Sequence, residues 1–186
     1  LKSEGFFDNA SFRLLIEDEG GRISINRLVS GSGYNPLIRD LLLRLLTGPH
    51  FRLEQTKAMD LLDAIKDWID ADDEVTGAGA EGAFYARLER PYAVKNAPLD
   101  CIEELLMVKG MTHDLFYGAA ESPGLAQCLT AFGDGRININ TAPKPVLRED
   151  AKPGIDELLT ALRHRQTRGA DGLTGGSRTA GAPVAR

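Results

Sequence analysis

The densest chemistry in this 186-residue chain is a run of acids. Asp67-Trp68-Ile69-Asp70-Ala71-Asp72-Asp73-Glu74 places five carboxylates in eight residues, and from Asp60 to Glu81 eight acids share one base, Lys66. Carboxylates this close raise one another's pKa and cost free energy unless a cation neutralises them. A hard dication such as Ca²⁺, which takes six to eight oxygen ligands, suits the set. Counting Asp70 as position 1 puts Asp72 at 3, Glu74 at 5, Thr76 at 7 and Glu81 at 12, the ligand positions of an EF-hand loop. Val75 stands where that loop needs glycine, and no helical pattern follows Glu81, so a true EF-hand is excluded. The spacing leaves a looped Ca²⁺ site as one reading and a solvated acidic helix end as the other.

Other chemistry is poorly supported. His50, His113 and His164 lie in separate contexts without metal-ligand spacing. Ser30-Gly31-Ser32-Gly33 reads as a turn, not a nucleophile elbow, and neither a P-loop nor a GxGxxG is present. The sequence is therefore read as non-enzymatic. Glu103 to Thr112 and Ile137-Asn138-Ile139-Asn140-Thr141-Ala142 look like parts of a helix–hairpin–helix, a module that holds phosphate with backbone N–H groups. The hairpin here, Lys109-Gly110-Met111-Thr112, has one glycine and no basic helix after it. Helix packing is the plainer reading, with a DNA-binding or adaptor module as the alternative. Residues 1–150 carry 24 Asp and Glu against 16 Lys and Arg, and a body at −8 repels a phosphate backbone. Cys101 and Cys128 form no CxxC. They read either as two small buried side chains or as a disulfide in an oxidising compartment.

The elements that must position these groups follow from periodicity. Residues 11–29 alternate as a β-hairpin around a polar turn at Glu17–Gly21. Gly21-Arg22-Ile23-Ser24-Ile25-Asn26 is echoed by Gly135-Arg136-Ile137-Asn138-Ile139-Asn140. Either the echo is coincidence, or one sheet is interrupted by an insertion. Between the two copies the pattern is helical: Leu37–Leu46, then an amphipathic Thr56–Asp70 with Ala58, Leu61, Leu62, Ile65, Trp68 and Ile69 on one stripe. A long Gly/Ala-rich loop runs to about Asn96. A helix from Pro98 to Met107 stops at Gly110, and Thr112 caps a further turn through Tyr117. Thr141 is placed as the N-cap of another helix, and Ile155–Arg165 reads as the last amphipathic stretch. Residues 169–186 lack apolar bulk and are expected to be disordered.

Several of these segments together resemble a known family. They are Glu17 to Asn26, Asp67-Trp68-Ile69-Asp70, Gly79-Ala80-Glu81 with Tyr85, Pro91-Tyr92, Lys95-Asn96-Ala97-Pro98-Leu99, Glu104-Leu105, Gly110-Met111-Thr112, and Ile137 to Ala142. In this order, over about residues 4–150, they resemble general secretion pathway protein K, the K-type minor pseudopilin of bacterial type II secretion. The resemblance implies an α+β fold, a pilin-like antiparallel sheet with a large, mainly α-helical domain inserted in it. Residues 1–28 and 127–150 would form the discontinuous β part and residues 29–126 the insertion, with a further helix in 151–168 and the tail in 169–186. It also implies an N-terminal membrane helix that the chain in hand lacks. This soluble part would then lie in the periplasm, anchored at the inner membrane only through that helix. Calcium in the insertion is carried onto Asp70, Asp72, Asp73, Glu74 and Glu81 as candidate ligands, and an oxidising periplasm would permit Cys101–Cys128. The implied partners are the I-type and J-type minor pseudopilins, in a heterotrimer that starts pseudopilus assembly for protein export. Bulk argues for the same place: a subunit enlarged by residues 29–126 would clash with a neighbour stacked above it, so it belongs at the filament tip. The chain departs from the family where final strands normally follow, its own residues there being the Gly/Ala/Thr/Arg tail.

Overall fold

A computed structural model of the protein describes residues 14, 16–119 and 122–147. Two helices dominate. α1, Pro36–Thr47, starts where Asn35 Oδ1 accepts the Leu37 and Ile38 amides and Pro36 fills the first turn. It ends at Gly48, before a proline that cannot continue it. Ile38, Leu41, Leu42, Leu45 and Leu46 recur at helical spacing and are all buried. They pack on α2, Gln55–Ile69, whose Ala58, Leu61, Leu62, Ile65, Trp68 and Ile69 face the same core. The two-residue strands β1, Val29–Ser30, and β2, Gly33–Tyr34, form a hairpin across Gly31, whose φ of +64° allows the tight turn.

The strand that matters most for the architecture is β0, Ile23–Ser24, so named because it precedes that hairpin. It pairs with β3, Leu129–Thr130, in parallel, with Ile23 opposite Leu129 and Ser24 opposite Thr130. Almost the whole helical region therefore lies between two paired segments. Asn26 strengthens the junction. Its Nδ2 donates to the carbonyls of Leu99 (2.9 Å) and Ala131 (2.8 Å), and its Oδ1 accepts the Leu99 amide (2.7 Å). Ile23, Ile25, Leu28, Leu125, Cys128 and Leu129 extend the helical core into this end of the molecule.

Several expectations need correction. The pairing that closes the fold is parallel, not antiparallel. The first arm of the expected hairpin, 11–16, falls almost wholly outside the described residues, and Ile25–Leu28 winds into a 3₁₀ turn instead of extending the second arm. The echo at 135–140 is not a strand. Gly133 and Gly135, both at positive φ, bend the chain, and Asn138 and Thr141 turn their side chains back to Asp18 (2.8 and 2.6 Å). The two echoes do meet, since the Asn138 amide donates to the Gly20 carbonyl at 2.7 Å. Thr141 is thus committed to Asp18 and the following helix, Lys144–Leu147, begins later.

The 98–107 segment holds only a 3₁₀ helix, Ile102–Met107, which starts later than expected, with Glu104 reaching back to accept the Asp100 and Cys101 amides as its cap. The loop after Asp70 is not featureless: it contains the short helix α3, Gly82–Tyr85. Thr112 does cap α4, His113–Tyr117, through a 3.2 Å bond from the Leu115 amide. Cys101 is exposed and Cys128 buried, and both are free, so neither the disulfide reading nor that of two buried side chains describes the pair. Burial pushes the Cys128 thiol up to about 12, against the pull of Arg22. The helix expected at 155–165 and the tail lie outside the described residues.

Candidate metal centre

The acidic site is built where α2 ends. Helical spacing puts Asp63, Lys66, Asp67 and Asp70 on neighbouring turns of one face. The returning chain, Thr76 to Glu81, lies across that face. The Thr76 amide donates to both oxygens of Asp67 (3.1 and 3.2 Å), and the Ala78 amide to Asp63 Oδ2 at 3.1 Å. Glycine is what lets the loop come so close: a Cβ at Gly79 would stand 2.1 Å from Asp67 Oδ2, and one at Gly77 2.2 Å from Asp63 Oδ2. Lys109 reaches over from the Gly110 turn and donates to the carbonyls of Ala78 (2.9 Å) and Gly79 (3.1 Å). Beneath the loop, Trp68 meets Tyr85 edge to face at 5.2 Å, and the Tyr85 hydroxyl accepts the Lys109 amide.

This packing gathers Asp67, Asp70 and Glu81, each buried, with one oxygen from each within 4.8 Å of the others. Lys66 donates to Asp70 Oδ2 and to Thr76 Oγ1 (2.8 Å). Asp70 Oδ1 and both Glu81 oxygens are buried with no hydrogen-bond partner. A buried carboxylate oxygen without a donor is costly. Burial first, then the charges of Asp67, Asp70, Asp73 and Asp72, push Glu81 up to about 7. Asp67 is raised chiefly by burial, partly offset by its bonds to Thr76. Burial disfavours the Lys66 ammonium, but the bond to Asp70 and the nearby acids outweigh it and its pKa is raised. Clustered, orphaned oxygens around a site with a net anionic charge suit a hard dication.

Of the five candidate ligands that the resemblance implied, Asp70 and Glu81 join this cluster. Asp72, Asp73 and Glu74 lie on the outer turn. Asp72 Oδ1 accepts the Glu74 amide (2.9 Å), and Asp73 Oδ1 accepts from Asn96 Nδ2 (3.0 Å). Asp67 belongs to the buried set although EF-hand spacing leaves it out. Its signal was available in the Asp67–Asp70 spacing of three along α2. Nothing catalytic gathers elsewhere among the described residues. The cavity of about 450 Å³ beside Gly110 is floored by Leu53, Leu61 and Leu115 and edged by Lys57, Asp60 and Lys109. It holds no nucleophile with a base beside it.

What the described residues define is a small body of mixed helix and strand built around a buried acidic centre, and comparison with known proteins places it among the components of a secretion system. The family model for type II secretion system protein K matches residues 21–119. The chain belongs to the type II secretion system protein K family. It is 30% identical over 164 residues to type II secretion system protein K of Pseudomonas aeruginosa, covering 86% of this chain and 46% of that protein. The Aeromonas hydrophila protein of the same name is 33% identical over 124 residues, 63% of this chain and 36% of that one. The fold is similar to a chain in the crystal structure of the GspK-GspI-GspJ complex from the enterotoxigenic Escherichia coli type 2 secretion system, with a TM-score of 0.60 and 25% identity over 81% of this chain and 50% of that one. The chain spans less than half the length of the curated relatives it matches. Membership supports a minor pseudopilin role and points to the cell envelope. Among the described residues no helix is long and apolar enough to cross a membrane.

Proposed function

We propose that this chain is the periplasmic part of a non-catalytic minor pseudopilin that sits at the tip of the type II secretion pseudopilus and helps initiate its assembly. The observation that carries the reading is the β0–β3 pairing, Ile23 with Leu129. A bulky helical insertion closed off by a small β junction suits a terminal subunit, because a neighbour stacked above it has no room. Family membership supports the pseudopilin role, and the likeness to a chain of the GspK-GspI-GspJ complex supports I-type and J-type minor pseudopilins as partners. The contact surface is assigned to the β part, near Ile23–Leu28 and Leu129–Asn140, with a preceding membrane helix supplying the anchor in the inner membrane.

The acidic centre is proposed as a Ca²⁺ site that stiffens the insertion. Asp67, Asp70 and Glu81 would hold the ion, with Asp72, Asp73 and Glu74 as the outer acids of the same loop. The orphaned oxygens of Asp70 and Glu81 support it. Co-expression with the I-type and J-type soluble domains, followed by size-exclusion chromatography, tests the assembly role. One ternary peak at micromolar concentration is expected, and separate elution of all three overturns it.

A further inference from the structure

Lys66 is 5% exposed, an unusual position for a lysine on a helix otherwise read as amphipathic. Its Nζ is held by Asp70 Oδ2 and Thr76 Oγ1. The ammonium therefore sits on one edge of the carboxylate cluster, and the opposite edge, Asp70 Oδ1 with both oxygens of Glu81, is left without donors. Asp67, Asp70, Glu81 and Lys66 together carry a formal charge of −2, which one dication cancels. Without Lys66 the buried set would stand at −3, a charge that buried groups do not tolerate unpaired.

We infer that Lys66 is a tethered counter-cation: a positioning residue that aims Asp70 at the metal and keeps the domain folded when the metal is absent. The inference rests on the cation-binding reading above and deepens it. Holding Asp70 by Oδ2 leaves Oδ1 as its one unshared oxygen, turned to the open edge where an ion would bind. Holding the Thr76 hydroxyl fixes the start of the loop that carries Glu81 relative to the end of α2. One ammonium thus sets the spacing between two ligand-bearing segments. Once a dication occupies the open edge it supplies the missing positive charge, and the fold depends less on Lys66.

The test uses the whole chain, with melting followed by the fluorescence of Trp68, its single tryptophan, in chelator and in Ca²⁺. In chelator, Lys66→Met is expected to melt roughly 10 °C below the parent, the consequence of leaving buried carboxylates without their counter-charge. Ca²⁺ is expected to restore most of that loss, so the Ca²⁺-induced rise is about double that of the parent. Lys66→Arg, which keeps the charge, stays within a few degrees of the parent in both conditions. An equal loss in chelator and in Ca²⁺ would mean that Lys66 is merely structural and would overturn the inference. So would a Lys66→Met chain that stays unfolded in Ca²⁺, or one that melts like the parent in chelator. A parent chain indifferent to Ca²⁺ would instead overturn the metal reading itself, a result seen before any variant is made.

Discussion

Replacing Glu81 by glutamine should act in opposite directions with and without metal. The pKa of Glu81 rises from 4.5 to about 7 in the folded chain. A carboxyl raised by folding favours the native state most below its unfolded pKa, and that advantage is lost as pH climbs through the folded value. Near pH 4.5 the residue costs little. By pH 8 its enforced ionisation costs about 3 kcal/mol, from about 2.5 pKa units at 1.36 kcal/mol each. Glutamine does not ionise and avoids that cost. In chelator at pH 8, Glu81→Gln should therefore melt higher than the parent, by about 10 °C for a domain of this size, and the gap should close as pH falls toward 5. In Ca²⁺ at pH 8 the order should reverse, because the parent gains ligand-linked stability that the variant cannot. Thermal melts at three pH values, with and without Ca²⁺, read all of this. A Glu81→Gln chain less stable than the parent in chelator at pH 8 would show that the carboxylate is held by donors, and the reasoning would fail.

The remaining predictions concern the supports of the site and of the junction. Asn26→Ala removes three hydrogen bonds to Leu99 and Ala131 and should cost roughly 3 kcal/mol in urea unfolding. An effect under 1 kcal/mol would discount the junction. Gly79→Ala drives a methyl group into Asp67 and should cost roughly 2 kcal/mol while weakening the Ca²⁺ response, measured by the same melts. Unreduced protein should titrate one fast thiol, Cys101, when native, and two after denaturation. In a mobility-shift assay at physiological salt, micromolar chain should leave duplex DNA unshifted, since Lys109 is committed to Ala78 and Gly79.

What could be read from the sequence was local. The apolar stripes of α1 and α2 and the Thr112 cap depend on residues within one or two turns, and they appear where the sequence puts them, while the Asn35 cap and Pro36 start of α1 were found only in the structure. The acid cluster was visible for the same reason. The set that closes was not, because EF-hand counting follows a continuous loop. Here the ligand atoms come from a helix end and from a chain that crosses back over it, with Asp67 inside and Asp72 to Glu74 outside. Lys66 looked like the one base on a solvated face, and only the return of Thr76 buries it. The parallel β0–β3 contact was hidden because a two-residue strand leaves no alternation to detect. The echo at 135–140 pointed to the right neighbourhood through the wrong residues, since glycine at 133 and 135 bends that copy out of the ladder.

The pairing of Ile23 with Leu129 also constrains the order in which the chain can fold. Bringing together positions 106 apart costs a flexible chain about 4 kcal/mol of closure entropy. Two residues of parallel ladder cannot offset that alone. The intervening helices must already be compact, holding their ends close, before β0 and β3 can zip. The β junction is therefore a late event, and its formation reports that the helical segment is complete. In the assembly proposed above, a chain whose helices have not yet packed would present an unfinished junction to its neighbours, and only a subunit that has finished folding would fit.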